Sequence, residues 1–162
     1  MRETVETLFS RYKDSLFQAA FSVLQNRADS EDAVQMTMIQ YFSSTQEFEN
    51  EDHIKKWLFR TVLNKAKDIR RTFWRRNRMP LDETLANIPV TSEADGRLLD
   101  AVAHLPARYR VVLQLYYYEN FSTEEISRII QISPAGVRKR LSRARSELKK
   151  ILREDWMDED NG

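Results

Sequence analysis

Arg138 follows three small residues, Pro134, Ala135 and Gly136, and precedes Lys139, Arg140, Arg143 and Arg145. An arginine one turn into a helix can meet a guanine edge with two hydrogen bonds, and small residues ahead of it let the backbone approach DNA. A second set, Asn64, Lys67, Asp68, Arg71 and Arg75, falls on one helical stripe. Its cations suit phosphates, and Asn64 can hydrogen-bond a base. The chemistry in view is therefore noncovalent. His53 and His104 stand far apart with no nucleophile or metal set around them, and the chain has no cysteine, hence no disulfide or thiolate site. No enzymatic activity, cofactor or small-molecule substrate is expected.

The elements that position these residues can be read from local signals. Ser122 and Glu125 have the spacing of a capping box, and Ile126, Ile129 and Ile130 give the helix they open an apolar face. Gln131 and Ile132 make a turn. Ser133 then caps a second helix, with Pro134 at its first position, where no N–H is needed. Val137, Leu141, Ala144, Leu148 and Ile151 form its buried stripe. A short helix, a tight turn and a basic helix make a helix-turn-helix, whose second helix enters the major groove amino end first. For a lone basic helix a solvated charged face is the plainer reading; here caps, turn length and charge together favour DNA.

Composition supports this. The 162 residues suffice for one domain or two small ones, and low Gly and Pro favour an all-helical chain. No apolar run is long enough to span a membrane and no signal peptide opens the chain, so a cytoplasmic location is expected. The net charge of +1 hides a segregation. Residues 54–79 carry ten bases and one acid, and residues 134–153 eight bases and one acid. The remainder holds 8 of the 26 basic residues and 23 of the 25 acidic ones. Two basic helices far apart in sequence point to two contacts with one polyanion.

In order, the periodicity predicts a helix over 4–25. A second follows, capped by Asp29 or Ser30, with Ala33, Val34, Met36, Met38, Ile39, Tyr41 and Phe42 apolar. That exceeds one face, which fits either a docking surface or a fully surrounded core helix. Residues 43–52 are a polar loop whose lone aromatic, Phe48, is either a core anchor or a stacking platform for an unpaired base. A long helix spans about 54–76. Residues 77–96 read as a linker, interrupted by Pro80, Pro89 and Gly96 and too long for a connection inside one compact domain. Residues 97–104, 106–118 and the helix-turn-helix make a four-helix carboxyl domain, and residues 154–162 an acidic, frayed tail. The fold class is all-α: two small helical domains joined by a flexible linker.

Several stretches, in this order, resemble the extracytoplasmic-function (ECF) sigma factors of bacterial RNA polymerase: SEDAVQ, the pair Tyr41–Phe42, WLFRTVLNKAKDIRR, LPARYRVVLQLYYYENFSTEEIS and SPAGVRKRLSRARSELK. The resemblance covers about 4–76 and 97–152. It implies that domain 1–76 grips the clamp of the largest polymerase subunit and melts the −10 element. Asp32, Gln35 and Ile39 would face the core enzyme. The loop 45–52, with Phe48, would capture a flipped base above Asn64, Lys67, Arg71 and Arg75. Domain 97–153 would sit at the flap of the second-largest subunit and read the −35 element. There Ser133, Pro134, Ala135, Arg138 and Arg140 would lie nearest the DNA, with Arg143 toward its backbone. Promoter DNA and an anti-sigma factor, commonly membrane-bound, are the other implied partners, so the resemblance implies a place at the inner face of the membrane when the protein is held. Met36 and Met38 replace an acid and an aromatic usual in the family, and Ala135–Gly136–Val137 replaces Gly–Thr–Val, removing one hydroxyl contact. The competing readings are a stand-alone helix-turn-helix regulator with an amino-terminal dimerisation domain, and a helical enzyme or RNA-modifying accessory.

Overall fold

The computed structural model describes residues 2–77 and 93–160, with side chains described for 2–73 and 96–154. Seven α-helices appear in them: α1 (Val5–Leu24), α2 (Arg27–Ser43), α3 (Glu51–Asn77), α4 (Glu93–Ala103), α5 (Ala107–Leu113), α6 (Thr123–Ile130) and α7 (Pro134–Asp160). A π-helical turn, Gln114–Tyr118, extends α5.

Helix α1 opens on Thr4, whose hydroxyl accepts from the Thr7 N–H at 3.2 Å. It closes on Gln25 in the left-handed region, φ 51°, with the Gln25 N–H donating to Phe21 O at 2.8 Å. The chain then re-enters a helix almost at once. The cap of α2 is Asn26, whose side chain accepts from the Asp29 N–H at 2.8 Å. The expected cap at Asp29 or Ser30 is therefore corrected: Asn26 alone has extended backbone, φ −139°. Ser30 lies within the first turn, fully buried, its hydroxyl donating to Asn26 O. Asn50 likewise accepts from the His53 N–H at 2.9 Å, starting α3 at Glu51.

α1, α2 and α3 pack on one another through Leu8, Leu16 and Ala20, through Ala33, Val34 and Tyr41, and through Ile54, Leu58 and Val62. Burying each large aliphatic contributes about 1.5–3 kcal/mol. Met36, Ile39 and Phe42 are left outside, Phe42 at 75% exposure, so the surplus apolar surface of α2 is an open face. The second set gathers α4–α7 around Leu105, Val112, Leu115, Ile126, Ile129, Val137 and Leu141. The expected single helix 106–118 is α-helical only to Leu113. Its π-turn closes with the Glu119 N–H donating to Gln114 O at 3.2 Å. The wide turn keeps Leu115 fully buried while Tyr117 and Tyr118 face out. Gly96, read as a linker break, lies inside α4, and the tail read as frayed is helical to Asp160. Residues 78–92 of the expected linker lie outside the described residues.

The two helical sets meet along a seam, α1 against α5 and α3 against α6. The Arg110 guanidinium, 5% exposed, donates to Ser22 O at 2.7 Å, to Val23 O at 3.2 Å and to Leu105 O. The Gln25 amide donates to Ala103 O at 2.8 Å. Phe59 and Phe121 pack edge to face, with centroids 5.2 Å apart. Lys56 bridges Asp52 at 2.7 Å and Glu125 at 3.3 Å. Phe59 is fully buried where Phe121 of the other half covers it.

Candidate nucleic-acid interface

The helix-turn-helix is built from its caps. The Ser122 hydroxyl accepts from the Glu125 N–H at 3.1 Å, and the Glu125 carboxylate accepts from the Ser122 N–H at 3.1 Å, so the expected capping box is present. The Ser122 N–H donating to the Glu125 carboxylate is the largest influence holding that carboxyl below its usual range, with Lys56 contributing. Gln131, φ 59°, turns the chain in the left-handed region. The Ser133 hydroxyl accepts from the Gly136 N–H at 3.0 Å, as the cap of α7 should. A Cβ on Gly136 would stand 3.2 Å from that hydroxyl and 3.4 Å from Ile132 Cδ1. The glycine thus serves the closeness of the cap and turn.

Val137, Leu141 and Ala144 anchor α7 in the core. Ser133, Ala135, Arg138 and Arg143 are exposed, and Pro134 is half-exposed. They share the outer, amino-terminal part of the helix. Arg140 parts from them: it turns toward α3 and lines a recess with Lys67, Arg70 and Arg71. Burial, then Arg140 and Arg71, push the Lys67 amine below its ordinary pKa. Arg145 donates to the Tyr117 hydroxyl at 2.6 Å and stands over the Tyr116 and Tyr117 rings, so it is a packing residue of this half.

On α3, Asn64, Lys67 and Arg71 are exposed along one face, as the stripe requires. Asp68 lies 3.9 Å from Arg71 in a solvent-exposed pair, which leaves Arg71 available to another anion. The side chain of Arg75 lies outside the described residues. Phe48 needs correction. It is 2% exposed, stacked on Tyr41 with centroids 5.8 Å apart and set edge-on to Trp57 and His53. Of its two readings the core anchor holds, and its faces are not available to a base. His53 accepts from the Glu49 N–H at 3.1 Å and so shapes the same loop.

Beside that loop lies an open recess of about 610 Å³ lined by Asn50, Trp57, Arg60, Thr61 and Asn64 of the amino half, with Arg128 of α6. Trp57, Arg60 and Arg128 were not among the expected site residues: Trp57 packs edge-on to Tyr41 and Phe48 like a core aromatic, and Arg128 on α6 lies far away in sequence. Asp32 and Gln35 are exposed on α2, and Ile39, 64% exposed, shares its outer face with Met36 and Phe42. Among the described residues no group of histidines or carboxylates is placed to hold a metal ion, and no helix is long and apolar enough to cross a membrane.

Comparison with known proteins gives two matching family models, "Sigma-70 region 2" over residues 8–78 and "Sigma-70, region 4" over residues 95–148. The chain is 30% identical over 141 residues to RNA polymerase sigma factor SigV of Bacillus subtilis, covering 85% of this chain and 84% of that protein. It is 27% identical to ECF RNA polymerase sigma factor SigW of the same organism, covering 88% and 86%. Among solved structures, the sigma factor RpoE of Bartonella quintana in complex with the anti-sigma factor NepR superposes with a TM-score of 0.78 at 23% identity, over 91% of this chain and 96% of that one. CnrH in complex with the cytosolic domain of CnrY superposes with a TM-score of 0.70 at 25% identity, over 93% and 88%.

Proposed function

The chain belongs to the sigma-70 family as an ECF RNA polymerase sigma factor that directs promoter recognition, and from that premise we propose how its parts divide the work. The amino half, 1–76, binds the polymerase core and opens the −10 element. The carboxyl half, 97–153, reads the −35 element, and 77–96 connects them. The observation that carries this reading is the placement of Asn64 and Arg138. Each is exposed, each lies within a cationic surface, and each belongs to a different matched region.

Arg138 meets a base edge through its two parallel donors, and Ser133, Pro134 and Ala135 let the helix end approach the groove. Arg143 binds backbone phosphate, and Arg140 joins the contact when its face is free. On α3, Lys67, Arg71 and Arg75 hold phosphates while Asn64 meets an unpaired base. Trp57, at the edge of the neighbouring recess, takes the aromatic role that Phe48 cannot. Opening DNA costs about 1.4 kcal/mol per stacked step. A captured base returns about 1–3 kcal/mol, so one or two captured bases offset local melting while the polymerase holds register. No catalytic step belongs to this chain; binding energy does the opening.

Asp32, Gln35 and the apolar row Met36, Ile39 and Phe42 form the surface for the polymerase clamp. The same exposed row suits an anti-sigma factor, the kind of partner with which RpoE of Bartonella quintana is seen. The protein works in the cytoplasm. Run-off transcription with purified core polymerase is the direct test: transcripts from a cognate promoter appear only when the chain is added. Promoter binding that is unaffected by core would point instead to a stand-alone regulator.

A further inference from the structure

Several cations of this chain meet acids. Arg11 meets Glu51, Arg27 meets Glu31, and Lys56 meets Asp52 and Glu125. The recess between α3, α5 and α7 differs. Lys67, Arg70, Arg71, Arg108 and Arg140 line it, and no carboxylate does. Of these, only Arg71 pairs with a carboxylate among the described residues, Asp68 at 3.9 Å, and that pair is solvent-exposed. The cations sit close enough to repel. Burial, then Arg140 and Arg71, lower the pKa of Lys67, and burial, then Arg70, lowers that of Arg110, which is bonded to Val23 O. A guanidinium stays charged at neutral pH, so the repulsion is relieved by a counter-charge rather than by proton loss.

Geometry selects that counter-charge. The recess has a volume of about 480 Å³, the size of a small-molecule site. Its cations are arginines but for Lys67, and the planar fork of an arginine matches phosphate oxygens. A lone monoanion would leave most of the charge unmet, whereas a short chain of phosphates meets several donors at once. Val23, Val111 and Ile130, all buried, add an apolar floor. Such a floor lowers the local dielectric and strengthens each ion pair above it.

We propose that this recess is a binding site for a compact oligophosphate, bare or carried by a nucleoside, gripped by Arg70, Arg108 and Arg140 with Lys67 and Arg71. The inference goes beyond the division of labour above, which gives Lys67, Arg71 and Arg140 to DNA. Promoter and oligophosphate then draw on the same side chains. The test below contains no DNA, so its outcome is separate from that reading.

Isothermal titration of the full-length chain reads the site. The ligands are inorganic tripolyphosphate and, separately, adenosine triphosphate, without magnesium, each compared with sodium sulfate at equal ionic strength. A single equivalent of tripolyphosphate should bind saturably, and sulfate at least about tenfold more weakly. Arg108→Gln and Arg70→Gln should each weaken tripolyphosphate about tenfold, the size of one lost charge-assisted hydrogen bond. Arg108→Lys, which keeps the charge, should retain most of the affinity. Lys149→Gln, at an exposed position far along α7, should leave it unchanged. Tighter binding of adenosine triphosphate than of tripolyphosphate assigns the apolar floor to the nucleoside; equal or weaker binding assigns recognition to the phosphate chain alone. Absence of saturable binding, sulfate binding as tight as tripolyphosphate, or equal weakening by Lys149→Gln and Arg108→Gln overturns the site.

Discussion

Replacing Arg110 by methionine tests the energetics of the seam. The guanidinium makes three hydrogen bonds to carbonyls. Bonds to a charged group contribute about 1.5–3 kcal/mol each. Against them stands burial, which, with Arg70 nearby, lowers the Arg110 pKa to about 10. At about 1.36 kcal/mol per pKa unit that costs ~3 kcal/mol, and Arg110 remains charged at neutral pH. The bonds outweigh the burial, and their loss with a methionine filling the space should destabilise the fold by about 3 kcal/mol. Urea unfolding followed by tryptophan fluorescence measures it: with a slope of about 2 kcal/mol/M, the midpoint should fall by roughly 1.5 M. Arg110→Lys, which keeps the charge but reaches fewer carbonyls, should fall between. A loss below about 0.5 kcal/mol for Arg110→Met would refute the reasoning, because it would mean that the buried guanidinium is not sustained by those carbonyls.

Two further substitutions separate packing from recognition. Phe48→Ala should cost about 3–5 kcal/mol of stability, as for any buried phenylalanine, and impair core binding and strand opening alike. Asn64→Ala, at an exposed site, should leave the unfolding midpoint unchanged and reduce open-complex formation, measured by permanganate footprinting; a stability loss equal to that of Phe48→Ala would remove Asn64 from the DNA surface. Arg138→Ala should weaken −35 recognition by about 1–3 kcal/mol and relax base preference at one position, with core affinity unchanged. Unaltered preference in a binding-site selection would show that Arg138 reads no base.

What the sequence conveyed and what it withheld divide along the reach of the interactions. The capping box of Ser122 and Glu125 and the cap at Ser133 were legible because each bond joins residues three apart. The apolar stripe of α7 was legible for the same reason, since a helical period fixes a face. The start of α2 was not, because Asn26, Asp29 and Ser30 all carry capping side chains and only the left-handed Gln25 decides among them. Phe48 was ambiguous from sequence, because its fate depends on Tyr41 and Trp57 across the fold. Arg110 gave no local signal: its acceptors on α1 lie 87 and 88 residues away. Arg140 read as one more groove cation, and only the approach of α3 sets it apart from Arg138.

The recess between α3 and α7 has cations from both halves and no carboxylate among the residues lining it. Ordinary complementary interfaces loosen as electrolyte is added; this pocket should behave oppositely. Repulsion among Lys67, Arg70, Arg71, Arg108 and Arg140 reaches about 30 Å in 0.01 M salt but only about 10 Å in 0.1 M. Dilute buffer therefore strains the packing of the two halves and a counterion-rich milieu relaxes it, while the exposed Lys56–Glu125 pair offsets little of this trend. The packing of α3 against α7 is thereby tied to the ionic composition around the protein.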